Sequence, residues 1–363
     1  MLKCSLMPMC LISLCLAAGC SDPPGEVRGD GLEEIRVTVA EALVAGPDDR
    51  TRSFQFNYRF GVSGIKPGAT VRIWMPVPTS SSDQQVASLP YQLPTEPSFH
   101  IEPKYGNRIL YLESMAPESG ELSFDVPYRV QRREVLALSS DVPAVGTQTL
   151  PANQRELFLG ANTRVPIDER PLELLSDLEL SDDTRARAKQ LYEVVDRHVT
   201  YNKVGTGWGN GDVLWVCDSR FGNCTDFHSL FISLARSQGL PSRFEIGFPI
   251  PGDAAQGEVG GYHCWAFFFT AKRGWVPVDI SEADQDPSMK EYYFGSLTPD
   301  RITFSTGRDI ELMPKSAHGP LNYFIYPHVE VDGISLPRQQ IALKFCYADV
   351  EEQVVIVPRK TTR

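Results

Sequence analysis

Three residues in the second half of the chain could together perform nucleophilic chemistry. Cys224 follows Gly222-Asn223, and Phe227, Leu230, Phe231, Leu234 and Ala235 come after it at i, i+3, i+4, i+7 and i+8. That spacing predicts a helix with Cys224 in its first turn. The unpaired backbone N–H groups of a helix start create positive potential, which favours a thiolate. His263 lies in Gly260-Gly261-Tyr262-His263-Cys264-Trp265, at the head of an apolar strand pattern, and Asp279 closes Gly274-Trp275-Val276-Pro277-Val278-Asp279. Adjacent antiparallel strands would bring these two side chains to one sheet edge. Asp279 could then accept from one imidazole nitrogen and leave the other facing the thiol. A thiolate with an oriented base attacks carbonyl carbon and forms a thioester. Alone, a free cysteine usually behaves as a small buried hydrophobe; three such residues in one geometry point to chemistry.

The elements that must position them fall into two halves. Phe54, Phe56, Tyr58 and Phe60 alternate with polar residues, as do Val71, Ile73, Met75 and Val77, and then Leu122, Phe124, Val126, Tyr128 and Val130. Period two with turn signals between, such as Lys66-Pro67-Gly68, predicts half-buried antiparallel strands over 34–138, arranged as a β-sandwich. Residues 139–180 read as a loop-rich connecting segment. A helix is expected from near Ser181, capped by that serine, with Ala188, Leu191, Tyr192 and Val195 on one face. The glycine-rich stretch Gly205–Gly211 is a flexible loop and lacks the Gly-Lys-Ser/Thr ending of a phosphate loop. Gly239 and Pro241 end the Cys224 helix. Strands are expected over 242–248, 262–269 and 275–280. A helix followed by strands is an α+β arrangement.

The chain has 363 residues with 42% hydrophobic and 22% charged residues, so two domains of ordinary globular composition are expected. The formal net charge of −11 leaves no basic excess to neutralise phosphates, and nucleic acid is not an expected partner.

The segment Gly222-Asn223-Cys224-Thr225-Asp226-Phe227-His228-Ser229-Leu230-Phe231, with Tyr262-His263-Cys264-Trp265 and Gly274-Trp275-Val276-Pro277-Val278-Asp279, resembles the transglutaminase-like superfamily. The resemblance extends through Ala235–Arg243 and covers about 185–287. It implies a papain-like core in which Cys224 is the nucleophile, His263 the general base and acid, and Asp279 the orienting carboxylate. The front β region resembles the N-terminal domain often joined to bacterial members. On this basis 181–300 is the expected catalytic domain, with strands of 301–363 completing it. The implied activity is acyl transfer on a protein or peptide substrate, as a cysteine protease, an amidase or a protein-glutamine acyltransferase. It needs no cofactor, and hydrolysis is slightly favoured because bacterial members are commonly proteases or amidases. Asp300–Asp309 resembles a recurrent segment after the triad in bacterial relatives, without a role derivable from sequence.

The N-terminus reads as an address. Lys3 is followed by an uncharged run, Cys4 to Ser21, and Leu16-Ala17-Ala18-Gly19-Cys20 resembles the lipobox of bacterial lipoproteins, with Ala17 where Leu is usual. The expectation is a signal peptide over 1–19, lipidation of Cys20 and a polar tether over 20–33. Ser21, where Asp would favour the inner membrane, points to a lipid anchor in the outer membrane, facing the periplasm. Four cysteines then remain in the body: Cys217, Cys224, Cys264 and Cys346.

Other readings stay open. The Cys224 N–H is the expected first oxyanion donor, and Trp208, Asn210 and Trp215 are candidates for the second. His228 could reach the thiol from the next helical turn but fits the scaffold better, and Asp226 should support the helix start. Cys264 should point away from the His263 face into the core. Cys224, His228, His263 and Cys264 offer metal ligands on paper, although adjacent strand residues diverge. An inactive envelope scaffold with a partner-binding β domain is the remaining alternative.

Overall fold

Alternating burial organises the front of the molecule. In the computed structural model, which describes residues 50–139 and 146–350, Phe54, Phe56, Tyr58 and Phe60 all turn inward from the strand Thr51–Val62. The proposed signal peptide, the tether and Cys20 lie outside the described residues, all of which fall in one compact unit, Val39–Arg363. Thr51–Val62 is the middle strand of an antiparallel five-stranded sheet, ordered Gln256–Val259, Ile341–Asp349, Thr51–Val62, Leu122–Arg133, Gln84–Ser88. A second antiparallel sheet runs Ile334–Ser335, His328–Val331, Thr70–Val77, Arg108–Met115, Ser98–Ile101. The inner residues of both sheets belong to one apolar cluster, as a two-sheet sandwich requires.

The division of the chain expected from sequence needs correction at its C-terminal end. Strand Arg301–Thr306 joins the catalytic sheet, but His328–Val331 and Ile341–Asp349 pair with the front strands Thr70–Val77 and Thr51–Val62. The reason is apolar matching. Without Ile341–Asp349, the row Phe54–Phe60 would sit on an exposed edge strand. Phe345 instead packs 4.8 Å from Tyr58 and 4.3 Å from Phe248, a residue of the catalytic sheet. Phe56 likewise meets Phe248 at 5.1 Å and Phe304 at 5.8 Å. Each such ring pair adds about 0.5–1.5 kcal/mol beyond its burial, so front sheets and catalytic sheet share one aromatic core.

The catalytic sheet is antiparallel and ordered Gly274–Val278, His263–Thr270, Ser242–Pro249, Arg301–Thr306. The pairing of Ser242–Pro249 with Arg301–Thr306 shifts register between Ile246 and Gly247. A Cβ at Gly247 would lie 1.8 Å from the Ile302 carbonyl oxygen, so only glycine lets these backbones meet there. Gly247 is the partner of His263 on its other side, which sets Arg301–Thr306 close to the site.

The helix Cys224–Ser237 packs on this sheet, and every residue from Cys224 to Arg236 is buried. It ends at Gly239, whose φ of +73° permits the reversed bond from Leu240 N to Ala235 O at 2.9 Å. The preceding helix spans Thr184–His198, and its cap is Asp183, not Ser181; the Asp183 carboxylate accepts from Ala186 N at 2.9 Å. Ser181 instead accepts from Asp183 N through its hydroxyl. Two further helices are Ala152–Leu159, inside the segment expected to be loop-rich, and Val213–Ser219, just after the glycine-rich loop. No helix among the described residues is long and apolar enough to cross a membrane.

Candidate active site

Asn223 and Asp226 build the start of the Cys224 helix. The Asn223 side chain accepts from Thr225 N at 2.9 Å, and the Asp226 carboxylate accepts from Asn223 N at 2.9 Å, a reciprocal cap. Asp226 also accepts from Gly209 N at 2.6 Å and Gly211 N at 2.9 Å, which ties the glycine-rich loop to the helix start. Arg308 fastens the same loop from behind. It is buried, donates to the Asn210 carbonyl at 2.8 Å, and binds the Ser229 hydroxyl. The segment Asp300–Asp309 thus has a structural role that its sequence alone did not reveal.

Cys224, His263 and Asp279 converge where the helix start meets the sheet edge. His263 Nε2 donates to Asp279 Oδ2 at 2.8 Å, and His263 and Cys224 lie near enough for each to shift the other's pKa. With Nε2 committed to the carboxylate, Nδ1 is the nitrogen left for sulfur. All three residues are buried. Burial alone would raise the Cys224 pKa, but hydrogen bonds from Cys264 and His263 and the His263 charge hold it well below the usual thiol value. Burial would lower the His263 pKa, yet Asp279 and Cys224 push it well above an ordinary imidazole. Asp279 is likewise held far below the carboxylate range: the charge and hydrogen bond of His263 and the charge of Arg301 outweigh its burial. These directions describe a thiolate–imidazolium pair.

Arg301 was not foreseen. Its Nη1 donates to Asp279 Oδ2 at 2.9 Å, and its guanidinium lies 4.8 Å from the Trp265 ring centre. The Asp-Arg-Ile sequence at 300–302 gives no sign of this partner, because the contact depends on the Gly247 register shift.

His228 does not face the thiol as a base. Ile280 N donates to His228 Nε2 at 3.0 Å, so the proton sits on Nδ1, which donates to the Cys224 carbonyl at 2.8 Å. Burial pulls its pKa down to about 4, so the ring is neutral near pH 7. His228 therefore bridges the residue carrying the thiol and the residue after Asp279. Among the described residues, no three His, Cys, Asp or Glu side chains are placed to hold a metal ion.

Cys264 takes the core position expected of it, on the strand face opposite His263, against which the Cys224 helix packs. Its sulfur lies 3.8 Å from both Thr225 Oγ1 and His228 Nδ1. Burial and the Cys224 charge raise its pKa well above the usual thiol value. Cys217 is pushed up to about 11 by burial.

Two of the expected second oxyanion donors, Trp208 and Asn210, are engaged elsewhere. Trp208 Nε1 donates to Gly205 O at 3.1 Å and Asn210 Nδ2 to Gly207 O at 3.1 Å, both inside their own loop. The Trp215 ring stands edge-on to Phe221 at 5.2 Å and closes over Gly207, where a Cβ would lie 2.6 Å from the indole.

Comparison with known proteins defines the class. Residues 174–280 match the model of the transglutaminase-like superfamily, and this chain carries a transglutaminase-like domain on a mixed α+β fold. A candidate cysteine protease from Cytophaga hutchinsonii has a similar fold, with a TM-score of 0.52 at 14% identity over 84% of this chain and 93% of that one. An uncharacterized protein of Haemophilus influenzae (strain Rd) is 26% identical over 300 residues, covering 72% of this chain and 80% of that one.

Proposed function

We propose that this protein is a thiol-dependent acyl-transfer enzyme acting on an amide or peptide substrate. The observation that carries the reading is the convergence of Cys224 at a capped helix start with His263, itself hydrogen-bonded to Asp279. The Cys224 thiolate attacks the carbonyl carbon, and the π pair moves onto oxygen. On collapse, the His263 imidazolium gives its proton to the departing amine, leaving a thioester on Cys224. Neutral His263 then takes a proton from water, whose oxygen attacks the thioester, and the acid product leaves. A primary amine in place of water would form a new amide. Hydrolysis is the favoured outcome, and the transglutaminase-like match supports the thiol-dependent class. The protein is proposed to work on a protein or peptide in the cell envelope, held to the outer membrane by a lipid on Cys20, on the periplasmic side.

Mass spectrometry of the protein quenched with peptide amide and ester substrates tests the chemistry. An adduct on the Cys224 peptide, absent in Cys224→Ala, is expected, and adding a primary alkylamine should change the products by less than half. No adduct on any substrate, with Cys224 fully reduced, would sink the reading. The anchor is tested separately by the mass of the mature N-terminal peptide, expected to carry lipid on Cys20.

A further inference from the structure

An acyl-transfer site needs a second hydrogen-bond donor for the oxyanion, beside the backbone N–H of the nucleophile. The first N–H groups of a helix have no intrahelical acceptor, so that of Cys224 is one donor. Tyr262 reaches the same place from the sheet. Its hydroxyl lies 3.0 Å from Asn223 Nδ2 and 2.9 Å from Thr225 Oγ1, the residues on either side of Cys224. From the loop side, a Cβ on Gly209 would lie 3.7 Å from the same hydroxyl.

The proton inventory then decides what the phenol can do. Asn223 Oδ1 accepts from Thr225 N, which fixes the amide and leaves Nδ2 as the end facing Tyr262. An amide NH2 only donates, so the Tyr262 oxygen accepts this bond. Thr225 Oγ1 can donate its proton to Tyr262. When Thr225 donates as Asn223 does, the Tyr262 proton is free to turn to a substrate oxygen. We propose that the Tyr262 hydroxyl is the second oxyanion donor, a catalytic residue aimed at the carbonyl oxygen of a substrate acylating Cys224. Burial pushes its pKa well above the usual phenol value, so it keeps that proton at neutral pH. Tyr323 and Tyr326 hold the ring, at 5.6 and 5.9 Å between centroids.

This assignment rests on the acyl-transfer reading, and two reagents separate them. Iodoacetamide alkylates a thiolate by displacement of iodide from carbon, with no oxyanion. p-Nitrophenyl acetate passes through one: sulfur bonds the carbonyl carbon, the π pair moves to oxygen, and collapse expels p-nitrophenolate and leaves an acetyl thioester. Tyr262→Phe is expected to slow the p-nitrophenolate burst about 10²-fold or more. Its iodoacetamide alkylation rate and pH profile should stay within twofold of the starting protein. Trp215→Phe should leave both rates near their starting values. A burst in Tyr262→Phe within threefold of the starting protein, or an equal fall in both reactions, would overturn the assignment. A starting protein that alkylates at Cys224 but releases no p-nitrophenolate would overturn the acyl-transfer reading itself, and Tyr262 with it.

Discussion

His263 and Arg301 donate to the same oxygen, Asp279 Oδ2, at 2.8 and 2.9 Å. The carboxylate is fully buried, and two cationic donors on one oxygen keep it ionised there. Its other oxygen is 3.4 Å from both Ser281 Oγ and Glu282 N. The imidazole is therefore oriented by a group that is itself fixed from three elements of the fold.

Removing Arg301 tests that arrangement. Because the Asp279 pKa is depressed in the fold, its stabilising effect is present above the ordinary carboxylate pKa of about 3.9 and is lost as pH falls below it. Arg301→Met should raise the Asp279 pKa toward its ordinary value and so shrink this acid loss. It should also cost about 3 kcal/mol at pH 7, as expected for breaking a buried pair. Urea denaturation at pH 7, and again at acid pH well below the ordinary carboxylate pKa, measures both effects.

Asp279→Asn keeps the shape and removes the charge. Turnover should fall by about 10⁴-fold, as expected when a triad carboxylate is replaced by its amide. Alkylation of Cys224 should fall less, because thiolate formation also draws on the helix start. Comparing kcat/KM on a peptide ester with the iodoacetamide rate in the same preparation gives the contrast.

His228 makes a second pH prediction of opposite origin. Its folded pKa of about 4 lies below the unfolded value near 6.5, so the unfolded chain binds the extra proton between them. Stability should therefore fall as pH drops from about 6.5 to about 4, with a single-site contribution of about 3 kcal/mol. His228→Asn should lose that part of the slope in denaturation curves measured across the window. It should lower activity too, by loosening the link from Cys224 to Ile280.

How much of this was legible in the sequence depends on how local the signal was. Phe227, Leu230, Phe231 and Leu234 announced the helix, and alternating Phe54–Phe60 announced the front strands, because both periods are written into neighbouring residues. The same holds for Cys224 at the helix start and for His263 and Asp279 at neighbouring strand ends. Arg301 and Tyr262 could not be read, since their contacts depend on a register shift at Gly247 and on a helix cap from another element. The C-terminal strands were misplaced for a related reason. Their apolar faces fit either sheet, and only three-dimensional matching to Phe54–Phe60 decides which. Alternation also placed Cys264 in the core, but says nothing about the Cys224 helix that packs on that face.

Gly247 offers a purely structural check. Gly247→Ala would press a methyl group into the Ile302 carbonyl, so the strand Arg301–Thr306 must move and take Arg301 with it. A stability loss of about 3 kcal/mol, the upper end for overpacking, is expected from chemical denaturation, together with reduced activity.

The central claim is the thiolate–imidazolium pair of Cys224 and His263. It is tested most directly by the rate of iodoacetamide alkylation at each cysteine peptide against pH, in the starting protein and in His263→Ala. Cys224 should react fastest, with a rate nearly flat through neutral pH because its pKa is depressed and that of His263 is raised. Cys217, with its pKa pushed up to about 11, should react slowly and gain rate with rising pH. In His263→Ala the Cys224 rate at pH 7 should fall and its profile move to higher pH. Equal rates for Cys224 and Cys217 at pH 7, with a Cys224 profile indifferent to the His263 change, would contradict the pair.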